Sequence, residues 1–269
     1  MIYLIFSKDR PLQLELALST CKHFSVDWGK EHTVVLYKTS DERYQKAYDD
    51  LEKNFQDVEF IKQYNFMSDV LNILSLTEYI LFSVDDCVFT NYFSTEDIVS
   101  ILKRYGSVGF SLRLGKNTTY CYPLRKNNDI PNFVSNEEYI ISFWWRENKT
   151  GDFYYPLEVS SSIYRAKDIL KVLDRNAFGN PNALESVMDS NKNILGHMPT
   201  LSCFEASVAF CNPINKVQNV NWNRAGTNPD YSVESLLEKY EQGYLIDETP
   251  LYGHVSNGCH QEVDLNFIK

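Results

Sequence analysis

Several things are scarce in this chain of 269 residues, and each scarcity closes off a class of function. No apolar run approaches the roughly 20 residues that a bilayer-spanning helix needs. The stretch Met1-Ile2-Tyr3-Leu4-Ile5-Phe6 is too short, and lacks the preceding basic region, for a secretory signal. The chain therefore reads as cytosolic, with room left for peripheral contact with a membrane. Positive charge is also in deficit, since 26 Lys and Arg face 36 Asp and Glu, for a net charge of -10 at pH 7. A general nucleic-acid binder needs a basic stripe to neutralise phosphates, so no nucleic-acid partner is expected, although one local basic pocket is compatible with the balance. The six cysteines, Cys21, Cys87, Cys121, Cys203, Cys211 and Cys259, lack the close pairs of a zinc ribbon or redox motif and read as free buried thiols. There is no internal repeat, no low-complexity linker and no clear second domain boundary. With 43% hydrophobic residues, the chain suits one α/β domain over residues 1–269.

What is present is an alternation of strand and helix patterns. Met1–Phe6 is an apolar run followed by the polar loop Ser7-Lys8-Asp9-Arg10-Pro11, with Pro11 placed for the first turn of a helix through Leu12, Leu14, Leu16 and Leu18. His32–Tyr37 reads as a second strand, Asp41–Asn54 as a charged helix, Val58–Ile61 as a third strand and Phe66–Leu74 as an amphipathic helix. Tyr79–Val84 is a fourth strand. Such alternation predicts a mostly parallel sheet with right-handed crossovers. Further on, Thr95–Tyr105 reads as a helix capped by Thr95, Ser107–Leu114 as a strand and residues 115–152 as loops over the active face. Ser161–Arg165 reads as a strand and Ala166–Leu173 as a helix. Asn180 caps another helix with Pro181 at its first position, and Ser232–Glu241 is a last, charged helix.

The fourth strand runs straight into Asp85 and Asp86. In open α/β sheets ligands bind beyond the carboxyl ends of strands, and two acids there can hold a hard divalent cation whose shell a substrate phosphate completes. That chemistry suggests transfer from a nucleotide diphosphate. The competing account is that the two Asp merely end a strand and begin a turn.

Three motifs in order, Ile5-Phe6-Ser7-Lys8-Asp9-Arg10-Pro11, Val84-Asp85-Asp86 and Asn180-Pro181-Asn182-Ala183-Leu184-Glu185, resemble those of glycosyltransferases of the GT-A type, the nucleotide-diphospho-sugar transferase fold. The resemblance implies a Rossmann-like, mostly parallel sheet flanked by helices. Residues 1–115 would form a nucleotide-sugar-binding half, and 116–269 an acceptor-side half with an irregular C-terminal elaboration. It implies Mn²⁺ or Mg²⁺ on Asp86. Val84 then stands where the family's acid motif has its first Asp, and Asp85 in the middle is free to take over ribose or diphosphate contacts. The other register, Asp85 with Cys87, would place a thiol on a hard cation, a poor match. Ser7, Asp9 and Arg10 become candidates for base, ribose or phosphate contacts, with an ion pair the alternative for Arg10. Arg113 could grip phosphate or the donor sugar, or form a structural ion pair. Glu185 is the candidate general base of an inverting transfer, against a plain helix-dipole role and ahead of Glu158 and Glu205. His254 is the candidate for a third metal contact, with His260 and His197 still open. Trp144 and Trp145 are candidates for an acceptor-stacking platform or for core.

The reading is a metal-dependent transferase moving a sugar from a nucleotide-diphosphate donor to a glycan or glycolipid acceptor. A nucleotidyltransferase is the first rival, disfavoured because the loop after the first strand has no glycine. A carbohydrate- or nucleotide-binding relative without catalysis is the second, kept alive by Val84.

Overall fold

A computed structural model describes residues 1–217 and 224–269. Its centre is a nine-stranded sheet. In chain order the strands used below are β1 (Ile2–Lys8), β2 (His32–Lys38), β3 (Val58–Lys62), β4 (Tyr79–Val84), β5 (Cys87–Phe89), β6 (Phe110–Ser111), β7 (Val134–Glu137), β8 (Ile140–Trp144), β9 (Ser162–Arg165), β10 (Thr200–Phe204) and β11 (Ala209–Cys211). The helices are α1 (Pro11–Phe24), α2 (Glu42–Asn54), α3 (Phe66–Ser75), α4 (Thr95–Tyr105), α5 (Ala166–Leu173), α6 (Pro181–Asn191) and α7 (Val233–Glu241). The sheet order is β3-β2-β1-β4-β9-β6-β10-β8-β7, and only β9 and β8 run against the other strands. The fold is thus the mostly parallel α/β sheet that the alternation predicts.

β1 is central and buried on both faces, which is why it reads as an unbroken apolar run. Its side chains alternate between two cores. Ile2, Leu4 and Phe6 pack with Phe82 and with α3, α5 and α6, while Tyr3 and Ile5 pack on the other face with α1, α2 and α4. Helix starts follow local hydrogen bonding: Asp41 accepts from the N–H groups of Arg43 and Tyr44, Asn65 from Ser68 and Asn180 from Ala183.

Three expectations change. The cap of α4 is Ser94, which accepts from the Asp97 N–H, because Thr95 is buried one position inside and its hydroxyl serves Tyr3 and Asp27. Of the strand expected over 107–114, only Phe110–Ser111 enters a ladder. The segment 115–152 is not all loop. It contributes β7 and β8, which complete one edge of the sheet, and a short hairpin pairing Tyr120–Cys121 with Lys126–Asn127. Its polar, Asn-rich flanks hide the apolar Ile140–Phe143 register that pairs with β10.

Gly109 lies where a side chain has no room. A Cβ there would stand 2.5 Å from ring carbons of Tyr164. That ring cannot yield, because its hydroxyl accepts from the Glu158 N–H at 2.9 Å and donates to the Pro156 carbonyl at 3.1 Å. Gly109→Ala is expected to lower unfolding stability by about 1–3 kcal/mol, the usual cost of overpacking, read as a lower urea midpoint at unchanged slope.

Candidate active site

The carboxyl ends of β1, β2 and β4 open onto a cleft of about 890 Å³. Its floor on this side is a charge cluster. β4 ends at Val84, and the Asp85 N–H still pairs with the Phe6 carbonyl at 3.1 Å, which fixes the acid beside the β1 end. Asp85 Oδ2 accepts from the Ser7 hydroxyl at 2.9 Å and the Lys8 N–H at 3.0 Å. Arg10, at the start of α1, reaches back so that one Nη1 contacts Asp85 Oδ1 at 2.9 Å and Asp86 Oδ2 at 3.1 Å, while Nη2 donates to the Asn215 carbonyl at 2.6 Å. Burial works against the Arg10 charge, but Asp85 and Asp86 outweigh it and raise its pKa. Burial likewise raises the Asp85 carboxyl, against the pull of Arg10.

The opposite wall carries a second buried pair. Arg113 Nη2 donates to Glu158 Oε2 at 2.8 Å, both side chains being about 6% exposed. Glu158 also accepts from the Ser160 N–H and the Ser162 hydroxyl. His260 Nε2 lies 3.4 Å from Arg113 Nη1, and burial, then that guanidinium, push the imidazole pKa down to about 3, so the ring stays neutral. Glu185, in the second turn of α6, lines the same cleft. Among the described residues no cation forms an ion pair with it, although Arg113 pulls on it from a distance. Its Oε1 accepts from the Val159 N–H at 3.2 Å, and burial, then the neighbouring Glu158, lift its pKa from 4.5 to about 7.

Of the residues singled out in the sequence, Ser7, Arg10, Asp85, Asp86, Arg113 and Glu185 line this one cleft. Arg10 and Arg113 both take up ion pairs, the alternative weighed for each, and both still face the cleft. Asp9 does not line it. With φ 54 it turns the chain after β1, and its carboxylate accepts from the N–H and hydroxyl of Ser40, tying the first loop to the one after β2. His254 is not on the cleft wall either. Its ring packs 5.2 Å from Phe210, next to the cluster of Leu12, Leu16 and Val88, and His260 is the histidine that reaches the cleft. The tryptophans split at the end of β8: Trp144, its last residue, is 47% exposed outside the cleft, and Trp145, in the turn that follows, is core, its indole N–H on the Met198 carbonyl at 3.0 Å. Sequence reasoning ranked Glu158 behind Glu185 and passed over Tyr154, Tyr155 and Asn215, all of which line the cleft. For Glu158 the available signal was the serine run Ser160-Ser161-Ser162, a dense set of donors next to an acid.

The residue best placed to hold a divalent cation is Asp86. Among the described residues no three His, Cys, Asp or Glu side chains are placed to hold an ion. Asp85 is fully engaged, but Asp86 uses Oδ2 on Arg10 and has no recorded partner for Oδ1 among the described residues, with the side chain 17% exposed to the cleft. One carboxylate oxygen suits an ion whose remaining ligands are phosphate oxygens and water.

A mostly parallel sheet with acids at the end of its fourth strand is what the resemblance to GT-A glycosyltransferases implies. Comparison with known proteins points the same way in sequence. The chain is 29% identical to the bifunctional glycosyltransferase pgtA of Dictyostelium discoideum, in an alignment covering 88% of this chain and 34% of that protein. It therefore spans about a third of that relative's length. No family model matches. Among solved structures, S. aureus TarS aligns at TM-score 0.46 and 14% identity, covering 76% of this chain and 34% of that one. The mannosyltransferase PcManGT from Pyrobaculum calidifontis, solved with GDP-Man and Mn²⁺, aligns at TM-score 0.43 and 8% identity, covering 76% and 56%. No helix among the described residues is long and apolar enough to cross a membrane.

Two outcomes follow from these charges. Arg10→Ala strands Asp85 without its cation in a buried site, and is expected to cost about 3–5 kcal/mol of stability by denaturant titration. Because the folded state holds the Glu185 proton up to about 7 whereas the unfolded chain releases it near 4.5, the wild type should lose stability relative to Glu185→Gln as pH rises from about 4.5 to about 7. Parallel pH–stability curves for the two proteins would refute the raised pKa.

Proposed function

We propose that this chain is a glycosyltransferase that moves a sugar from a nucleotide-diphosphate donor to a glycan or glycolipid acceptor, with inversion at the anomeric carbon. The observation that supports it most is the joining in one cleft of strand-end Asp85 and Asp86 with Glu185 on the facing wall. The name of the sequence relative agrees with it.

In this reading the donor lies beyond the ends of β1, β2 and β4. Lys8 and Arg10 draw its diphosphate to the Asp85 side, and Asp85 holds Arg10 and Ser7 in position rather than touching the donor first. A Mn²⁺ or Mg²⁺ ion shared between Asp86 and the diphosphate would neutralise the leaving group. Glu185, ionised, accepts the proton of the acceptor hydroxyl as that oxygen attacks the anomeric carbon and the carbon–oxygen bond to the diphosphate breaks. A carboxylate near pKa 7 is matched to that work, being both ionised and basic at neutral pH.

Turnover is expected to rise with pH through about 7 as Glu185 deprotonates, and Glu185→Gln to lower kcat by roughly 10²–10⁴-fold while leaving nucleotide binding intact. Thermal-shift titration supplies the binding readout, since a ligand of the folded state alone raises the melting temperature. Nucleoside diphosphate with Mn²⁺ should stabilise the wild type more than either alone, and Asp86→Ala should abolish the synergy. A protein that binds the nucleotide-sugar yet shows no transfer and no slow donor hydrolysis would instead be a binding relative without catalysis.

A further inference from the structure

The acceptor wall has an aromatic element that neither the sequence motifs nor the catalytic groups account for. Tyr154 ends the turn Asp152–Tyr154 and Tyr155 follows it, and both line the cleft, each partly exposed. Tyr154 is fixed by a buried cation. Lys192, only about 7% exposed, sets its ammonium 3.7 Å from the centre of the Tyr154 ring, 3.0 Å from the Tyr154 carbonyl and 2.7 Å from Asp189 Oδ1. Burying a lysine is costly unless it is paired, and this one is spent on one tyrosine and on the acid one turn after Glu185 in α6. Asp152 opens the same turn and is itself held by Asn128, which donates to Oδ2 at 2.9 Å and accepts from the Asp152 N–H at 3.1 Å. Tyr154, clamped by Lys192, and its neighbour Tyr155 stand beside carboxylates and offer apolar ring surface flanked by acceptors for hydroxyl groups. A pyranose presents that same combination, with C–H bonds on its faces and hydroxyls at its rim.

We infer that Tyr154 and Tyr155 form the platform on which the acceptor's terminal pyranose stacks, so that one of its hydroxyls meets Glu185. The inference rests on the transferase reading above. Trp144 and Trp145, the aromatic pair that the sequence offers for this task, stand outside the cleft and in the core.

The test uses methyl glycopyranosides of galactose, glucose, mannose, fucose and N-acetylglucosamine as probes, with saturation-transfer NMR on the whole chain in the presence of nucleoside diphosphate and Mn²⁺. At least one probe should receive saturation at its ring C–H protons. Tyr154→Ala should weaken that probe about tenfold, the scale of one lost aromatic stacking contact. Tyr155→Phe, which keeps the ring, should bind as wild type does. Lys192→Met, which keeps both rings but frees Tyr154, should give an intermediate loss. Trp144→Ala should match wild type. Each protein is checked for an unchanged nucleoside-diphosphate thermal shift, so that a loss of fold is not mistaken for a loss of platform. No saturation of any probe in the wild type, or a loss in Trp144→Ala with none in Tyr154→Ala, would overturn the assignment while leaving the donor reading standing. If Tyr154→Ala loses the sugar-dependent part of nucleotide-sugar binding but keeps the pyranosides, the platform belongs to the donor and the acceptor assignment fails. Absence of any nucleotide shift in the wild type would overturn the transferase reading and, with it, this inference.

Discussion

One guanidinium organises the strand-end side of the cleft. Arg10 stands between Asp85 and Asp86 and is closed from behind by the Asn215 carbonyl, so that the end of β4, the start of α1 and the segment after β11 meet at one cation. Buried charge is tolerated only when compensated, and here the compensation is incomplete by design of the count: two carboxylates share one Arg. Both line the cleft, and Asp86 is the more exposed of the two, with a carboxylate oxygen that no described residue engages.

The far wall repeats the device with a different result. Arg113 and Glu158 compensate one another, and the serine donors around Glu158 complete the acid's shell. Glu185, a neighbour in the same wall, is given an N–H and, among the described residues, no ion pair. Two carboxylates side by side are thereby separated in role by their partners: one is tied into the scaffold and the other keeps its proton until near neutrality. The chemistry of the cleft lies in this unequal treatment more than in the identity of the acids.

The parallel half of the sheet was legible because β1, β2 and β4 are buried on both faces and its helices begin with recognisable caps and Pro11 or Pro181. The acids at the end of β4, the arginines and Glu185 were legible because their positions follow from where strands end and helices begin. What could not be read depends on pairing between distant segments. β8 and β10 find each other across some sixty residues, as the Ser142 and Ser202 hydroxyls do. Asp9 looked like a ligand contact, yet its oxygens turn to Ser40, a loop–loop bond that local sequence does not announce. Trp144 and Trp145 looked like a platform because adjacency in sequence suggests adjacency in space. At a strand end adjacency means the opposite, and the aromatic surface lies instead on a short turn whose tyrosines have no distinguishing motif.

The β5–β11 ribbon has a kinetic consequence. By pairing Cys87–Phe89 with Ala209–Cys211 it delivers the following segment to Arg10, closing a contact that spans 205 residues of chain. Contacts of such separation demand that a long loop be ordered before they reward it, and so they tend to form late. The first four parallel strands can assemble from neighbours in sequence, but Arg10 remains short of its carbonyl until the polypeptide past residue 211 has docked. During synthesis, then, the early sheet would exist for some time as a scaffold with its charged cluster unfinished, and closure of that cluster would mark the end of folding.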